Sequence, residues 1–167
     1  SRGDSVLIKP NLVGAVSYKT GGTTNPFLAE ALIELLQDYG IKKIIIGEGS
    51  AVGIRTRDAF IENGWDKLAE RKKVKLFDFK KDEFIPMSIP EGKILRYLYV
   101  SKSLLESDII INVPVMKTHD TYPATLGIKN MKGVIRESDK KRFHLWGLSQ
   151  CIVDLNKLLL PHITIED

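Results

Sequence analysis

The chain alternates short apolar runs with stretches of helical period, and this rhythm constrains its fold more than any other feature. Residues 6–9, 43–46, 74–77 and 108–113 read as short strands. Between the first two, Leu28, Leu32, Leu35 and Leu36 recur on one helical face, with Asn25 suited to the N-cap, Pro26 to the first helical position and Gly40 to the stop. Residues 56–63 read as a second helix capped by Thr56, residues 65–72 as a further turn or two, and residues 147–159 as a last helix ended by Pro161. Strands alternating with helices predict an α/β fold with a mostly parallel sheet flanked by helices. Residues 84–100 break the rhythm. Two prolines and the alternation of Ile94, Arg96, Leu98 and Val100 predict a small antiparallel excursion, with Ser103 capping a short helix after it. Ile109, Ile110 and Ile111 make residues 108–113 the expected central strand, and a loop is expected from Pro114 to Gly133.

A length of 167 residues with 43% apolar content predicts one domain with one core. The chain opens almost directly into one strand-like run and closes inside another, so this single α/β domain, residues 1–167, is expected to be a fragment of a longer protein. Cys151 is the sole cysteine, which excludes an internal disulfide, a cysteine-rich zinc site and a cysteine-ligated cluster within the chain. It also predicts a reducing, cytoplasmic setting. No apolar run reaches the roughly 18 residues that span a bilayer, so no membrane partner is expected.

Lys and Arg number 25 against 21 Asp and Glu, a net charge of +4. Between Lys117 and Arg142 stand seven basic and three acidic residues, so this one stretch carries an excess equal to that of the whole chain. Ligands of open α/β sheets bind outside the carboxyl ends of the strands. Lys9 and Asn11 follow the first strand, Glu48 the second, and Lys117, Thr118 and His119 the expected central one. These residues read together as an anion site rather than as ordinary solvated loops. Lysine binds carboxylate or phosphate as a point charge, or acts as a base when desolvated. Histidine shuttles protons near neutrality. His119, Lys117 and Glu48 are therefore the candidates for acid–base chemistry. Lys9, Asn11, Lys129, Asn130, Lys132 and His144 are the candidates for holding the anion.

Gly127 and Gly133 bracket Lys129 and Lys132, and backbone N–H groups beside a lysine suit an anion. The loop is not a Walker A motif. Gly47, Gly49 and Gly53 lie one residue too far apart for a dinucleotide fingerprint, and Glu48 would face the pyrophosphate. A metal held by His119, His144 and Glu48 has no supporting ligand spacing. The serine-hydrolase motif is absent. Lys140 to Trp146 interleaves bases with aromatics as single-strand nucleic-acid binders do, but a core or lid role is the simpler expectation.

The run from Val6 to Asn11, the turn Gly47-Glu48-Gly49-Ser50, the run from Ile111 to His119, the run from Leu126 to Gly133 and the later His144 occur in this order. Together they resemble the domain-of-unknown-function family 362. The resemblance covers nearly the whole chain. It implies a prokaryotic, cytoplasmic, iron–sulfur-associated protein whose longer relatives carry a ferredoxin module with two four-iron clusters. None of the ferredoxin cysteines is here, so such a cluster would belong to a missing segment or a partner module. A remoter resemblance runs to the lactate racemase family, which uses His pairs and a lysine-tethered nickel cofactor. It serves as analogy and assigns no racemization. Two functions follow as expectations. One is an enzyme that binds an anionic small molecule at the strand ends and applies Lys/His acid–base chemistry. The other is a non-catalytic module whose basic segment, 117–142, docks a ferredoxin-like partner or nucleic acid.

Overall fold

The computed structural model describes residues 3–119, 122–125 and 127–167, with side chains throughout these except at 118–119 and 122–125. In chain order the elements are β1 (Ser5–Pro10), α1 (Pro26–Asp38), β2 (Lys43–Glu48), α2 (Thr56–Glu62), α3 (Trp65–Lys72) and β3 (Lys75–Asp78). A hairpin of β4 (Phe84–Ser88) and β5 (Tyr97–Ser101) follows, then α4 (Lys102–Leu105) and β6 (Ile109–Val113). A second hairpin pairs β7 (Lys117–His119) with β8 (Tyr122–Thr125). After α5 (Gly127–Asn130) and a 3-10 turn at Met131–Val134 come α6 (Glu137–Trp146), α7 (Leu148–Leu158) and β9 (Ile163–Thr164).

The main sheet has the order β3-β2-β1-β6-β9, and all its pairings are parallel. Side chains alternate across a strand, and both faces are covered here, which is why its strands read as near-continuous apolar runs. Val6 and Ile8 of β1 pack with Ala29 and Ile33 of α1, Phe60 of α2, and Trp65 and Leu68 of α3. Leu7 packs on the other face with Leu98 and Val100 of β5, Phe143 of α6, and Leu148, Cys151 and Leu155 of α7. The α/β class, the parallel sheet and the antiparallel excursion at 84–100 all agree with the sequence reading, as does the cap of α1. There Asn25 Oδ1 accepts the Phe27 N–H at 3.0 Å ahead of Pro26.

Several expectations are corrected. The middle strand is β1, not β6, because β9 adds only two residues beyond β6. Thr56 is the first residue of α2 rather than its cap; its hydroxyl is turned inward and accepts the Ser50 N–H at 3.3 Å. Ser101, not Ser103, caps α4 by accepting from Leu104 N–H. The expected loop from Pro114 to Gly133 contains β7, β8, α5 and the 3-10 turn. Residues 137–146 form α6, which the polar sequence Glu137–Lys141 concealed. Among the described residues, no helix is long and apolar enough to cross a membrane.

Asp154 on α7 anchors the excursion. Burial opposes its charge, yet the N–H groups of Lys93, Ile94 and Leu95 and the Gln150 amide donate to its carboxylate and hold it well below the usual range. Asp154→Ala strips three backbone donors of their acceptor. It is expected to destabilise the fold by about 3 kcal/mol, measurable by urea denaturation. A loss below about 1 kcal/mol would contradict this role for Asp154.

Candidate functional site

The chain leaves β1 for β2 on one side, while β6 lies on the other, so the sheet has its switch point between β1 and β6. A crevice forms where such connections diverge. Thr24 fixes its mouth: the hydroxyl accepts the Asn11 N–H at 2.7 Å and donates to the Val113 carbonyl at 2.8 Å. Above these strand ends lies a cavity of about 690 Å³, within the range of small-molecule sites.

Its floor is a buried polar network. Lys9 is fully buried, and its Nζ lies 2.9 Å and 3.0 Å from the two Glu48 carboxylate oxygens. It also donates to Pro10 O and Asn130 Oδ1. Glu48 takes the backbone N–H groups of Leu12 and Gly49 as well, so both its oxygens are fully engaged. Burial pushes the Lys9 ammonium down while Glu48 opposes that shift. Asn130 gives its amide to Asn112 Oδ1 at 2.8 Å, and its Oδ1 accepts from Asn11 at 3.0 Å. Asn11 Oδ1 in turn accepts from Lys117 Nζ at 2.7 Å.

Lys117, Lys129, Lys132, Lys140 and Lys141 stand around the cavity with Asn11, Asn130 and His144. Burial lowers the pKa of Lys117 and of Lys129, and the Lys129 charge depresses Lys117 further. Burial and the same neighbour bring Lys132 down to about 8. Lys140, buried on α6, is brought to about 8 chiefly by burial; its Nζ donates to the Gly49 carbonyl at 2.7 Å. Lys132 Nζ lies 3.1 Å from His144 Nε2. Among the described residues, the single carboxylate of the lining, Glu48, is the one already paired with Lys9. The two arginines of the basic segment turn elsewhere: Arg136 and Arg142 both reach Asp139, and they stack on Tyr99 and Trp146 respectively.

Two glycines make this closure feasible. A Cβ at Gly49 would lie 2.4 Å from the Gly133 carbonyl, and one at Gly133 would lie 2.5 Å from Glu48 Oε1. Gly47 is likewise packed against the Phe79 ring, whereas Gly53 takes a left-handed φ of 79° in open space.

The model of a domain of unknown function, DUF362, matches residues 6–167. The chain belongs to that family. A curated relative, the thylakoid-associated protein sll1697 of Synechocystis sp., is 26% identical over 99% of this chain and 51% of its own length. This DUF362 chain therefore spans about half the length of that relative. Among solved structures, the lactate racemase apoprotein from Thermoanaerobacterium thermosaccharolyticum matches with a TM-score of 0.52 and 19% identity. The match covers 85% of this chain and 33% of that one. At that identity the likeness establishes a shared α/β fold.

Of the residues singled out in the sequence, Asn11, Glu48, Lys117, Lys129, Asn130, Lys132 and His144 line one cavity in this DUF362 domain, with Lys9 beneath it. The His119 side chain lies outside the described residues. Lys140, Lys141 and Thr24 were missed. The i, i+4 spacing of Lys140 and His144 was the available signal, and it needed α6 to be recognised first. Among the described residues, no group of three or more His, Cys, Asp or Glu could hold a metal ion. The resemblance puts any iron–sulfur cluster outside this chain, and the single thiol here, that of Cys151 on α7, is buried in the core.

Proposed function

We propose that this DUF362 domain binds a small anion, carboxylate or phosphate, at its β1–β6 switch point and that its lysines and His144 perform acid–base chemistry on it. One observation carries the reading: five lysines surround a cavity whose only carboxylate, among the described residues, is already neutralised by a sixth. Like charges gathered in a half-buried space raise one another's energy, and a bound anion relieves this. Lys117 and Lys129 act as point charges for the anion. Lys132 and Lys140, held near neutrality, exchange protons at working pH. The floor network orients Asn11 and Asn130. The docking alternative has weaker support, because the lysines line a concavity and the arginines are engaged with Asp139.

Oxalate is a suitable probe because its charge stays constant between neutral and mildly alkaline pH. An anion favours the charged ammonium, so binding is at full strength below about 8 and weakens as pH rises through it. By calorimetry, oxalate affinity is expected to fall about tenfold or more between about pH 7 and about pH 9. Failure to bind at the lower pH, or a flat profile, would refute the reading.

A further inference from the structure

The lysines of the cavity differ in their partners. Lys9 is bound to Glu48, Lys117 to Asn11 and the Gly22 carbonyl, and Lys140 to the Gly49 and Ser50 carbonyls. Each of those contacts favours the ammonium form. Lys132 has different company. The Phe143 ring, its centroid 5.3 Å away, also favours the charged form, but the Lys132 Nζ meets the imidazole of His144 at 3.1 Å, a base able to take its proton. It is half-buried on the cavity wall, with the Lys129 cation as its neighbour one turn back. A lysine beside a second cation in a desolvated pocket is the arrangement that frees an amine for attack. The other titratable group facing it is the Cys151 thiol of α7, which burial pushes up.

Resting on the anion-site reading above, we infer that Lys132 is the nucleophile of this cavity and that it forms an imine with a 2-oxo acid. The carboxylate of such a molecule is adjacent to its ketone, and Lys129 is adjacent to Lys132, so one ammonium holds the acid while the other amine reaches the carbonyl. The Lys132 ammonium first gives a proton to His144 Nε2. The free amine attacks the carbonyl carbon, a C–N bond forms as the C=O π bond opens, and the oxygen takes the proton that the new C–N nitrogen sheds to become hydroxyl. His144 returns its proton to that hydroxyl, which leaves as water. The sum is ammonium plus ketone giving protonated imine plus water, with no oxidant or reductant. The imine then draws electrons from the neighbouring carbon, the step that precedes proton removal or carbon–carbon cleavage.

The test is reductive trapping. The protein is incubated with pyruvate and cyanoborohydride, and the modified peptide is located by mass spectrometry. The adduct is expected on Lys132. Adducts spread evenly over Lys117, Lys129, Lys132 and Lys141, or no adduct, overturn the assignment. Lys132→Arg removes the nucleophilic amine, so it should slow trapping at least about a hundredfold. His144→Gln should slow trapping with the adduct still on Lys132, and an unchanged rate overturns the proton-transfer part. Oxalate has the two oxygenated carbons but no ketone. If oxalate binds and pyruvate is not trapped, this inference alone fails. If oxalate does not bind, the anion-site reading fails with it.

Discussion

Replacing Lys9 with Met is expected to lower the melting temperature by about 10 °C, the largest stability loss of any single exchange at the site. Lys9 is fully buried and its ammonium balances Glu48, which is itself almost wholly enclosed. Removing one partner of a buried pair leaves the other charge in a poorly solvating interior, at about 3–5 kcal/mol. In a domain of this size each kcal/mol shifts the midpoint by about 2–4 °C. Glu48 would keep the N–H groups of Leu12 and Gly49, so the loss falls on the charge rather than on the loop. Glu48→Gln alone should also destabilise. The double exchange should be more stable than the sum of the singles predicts, since no unpaired charge remains. Thermal melts of the four proteins decide it, and additive losses would mean that the pair is not coupled.

The largest functional effect is expected from Lys129→Gln combined with Lys132→Gln, which should weaken oxalate binding about a hundredfold or more. A hydrogen bond to a charged group contributes about 1.5–3 kcal/mol, and two are removed. Without ligand the double variant should melt no lower than the parent and somewhat higher, because burial depresses both ammonium groups and the Lys129 charge depresses Lys132 further. Binding and stability would thus move in opposite directions, as expected where a site carries strain for function. Calorimetry and a melt on the same samples suffice. Unchanged affinity would contradict the assignment of these lysines to the anion.

Much of this was legible in the sequence, for identifiable reasons. The strands were readable because both faces of the sheet are covered, so Val6-Leu7-Ile8 and Ile109-Ile110-Ile111 carry no polar interruption. Lys9, Glu48 and Lys117 were located by a rule of topology, which places ligands beyond strand ends whatever the side chains are. What escaped was of a different kind. Helix α6 was hidden because its buried positions include Asp139 and Lys140, whose burial depends on partners far away in sequence. The sorting of the basic segment was equally illegible. Seven charges in a row of sequence look alike until Asp139 draws two arginines to one side and leaves five lysines on the other. Glu48 read as an acid–base candidate because it follows the second strand, at the end of the sheet where ligands sit. The structure gives it four hydrogen bonds from three donor groups, and the Lys9 ammonium among them lies 39 residues away.

The meeting of Gly49 with Gly133 has a temporal consequence. The cavity is closed by main chain from two regions separated by more than half the protein, and its floor joins Lys9 to Asn130 across 121 positions. Contacts so distant form only after long loops have closed. The sheet edge from β3 to β1 can assemble from the first half of the chain, but the pocket is complete only when α5 and α6 settle upon it. An occupant bound there would clasp the last-arriving third of the molecule to the first strand. Hydrogen exchange at α6 would then slow on oxalate binding more than exchange in β2, so that the ligand acts as the final fastening of the fold.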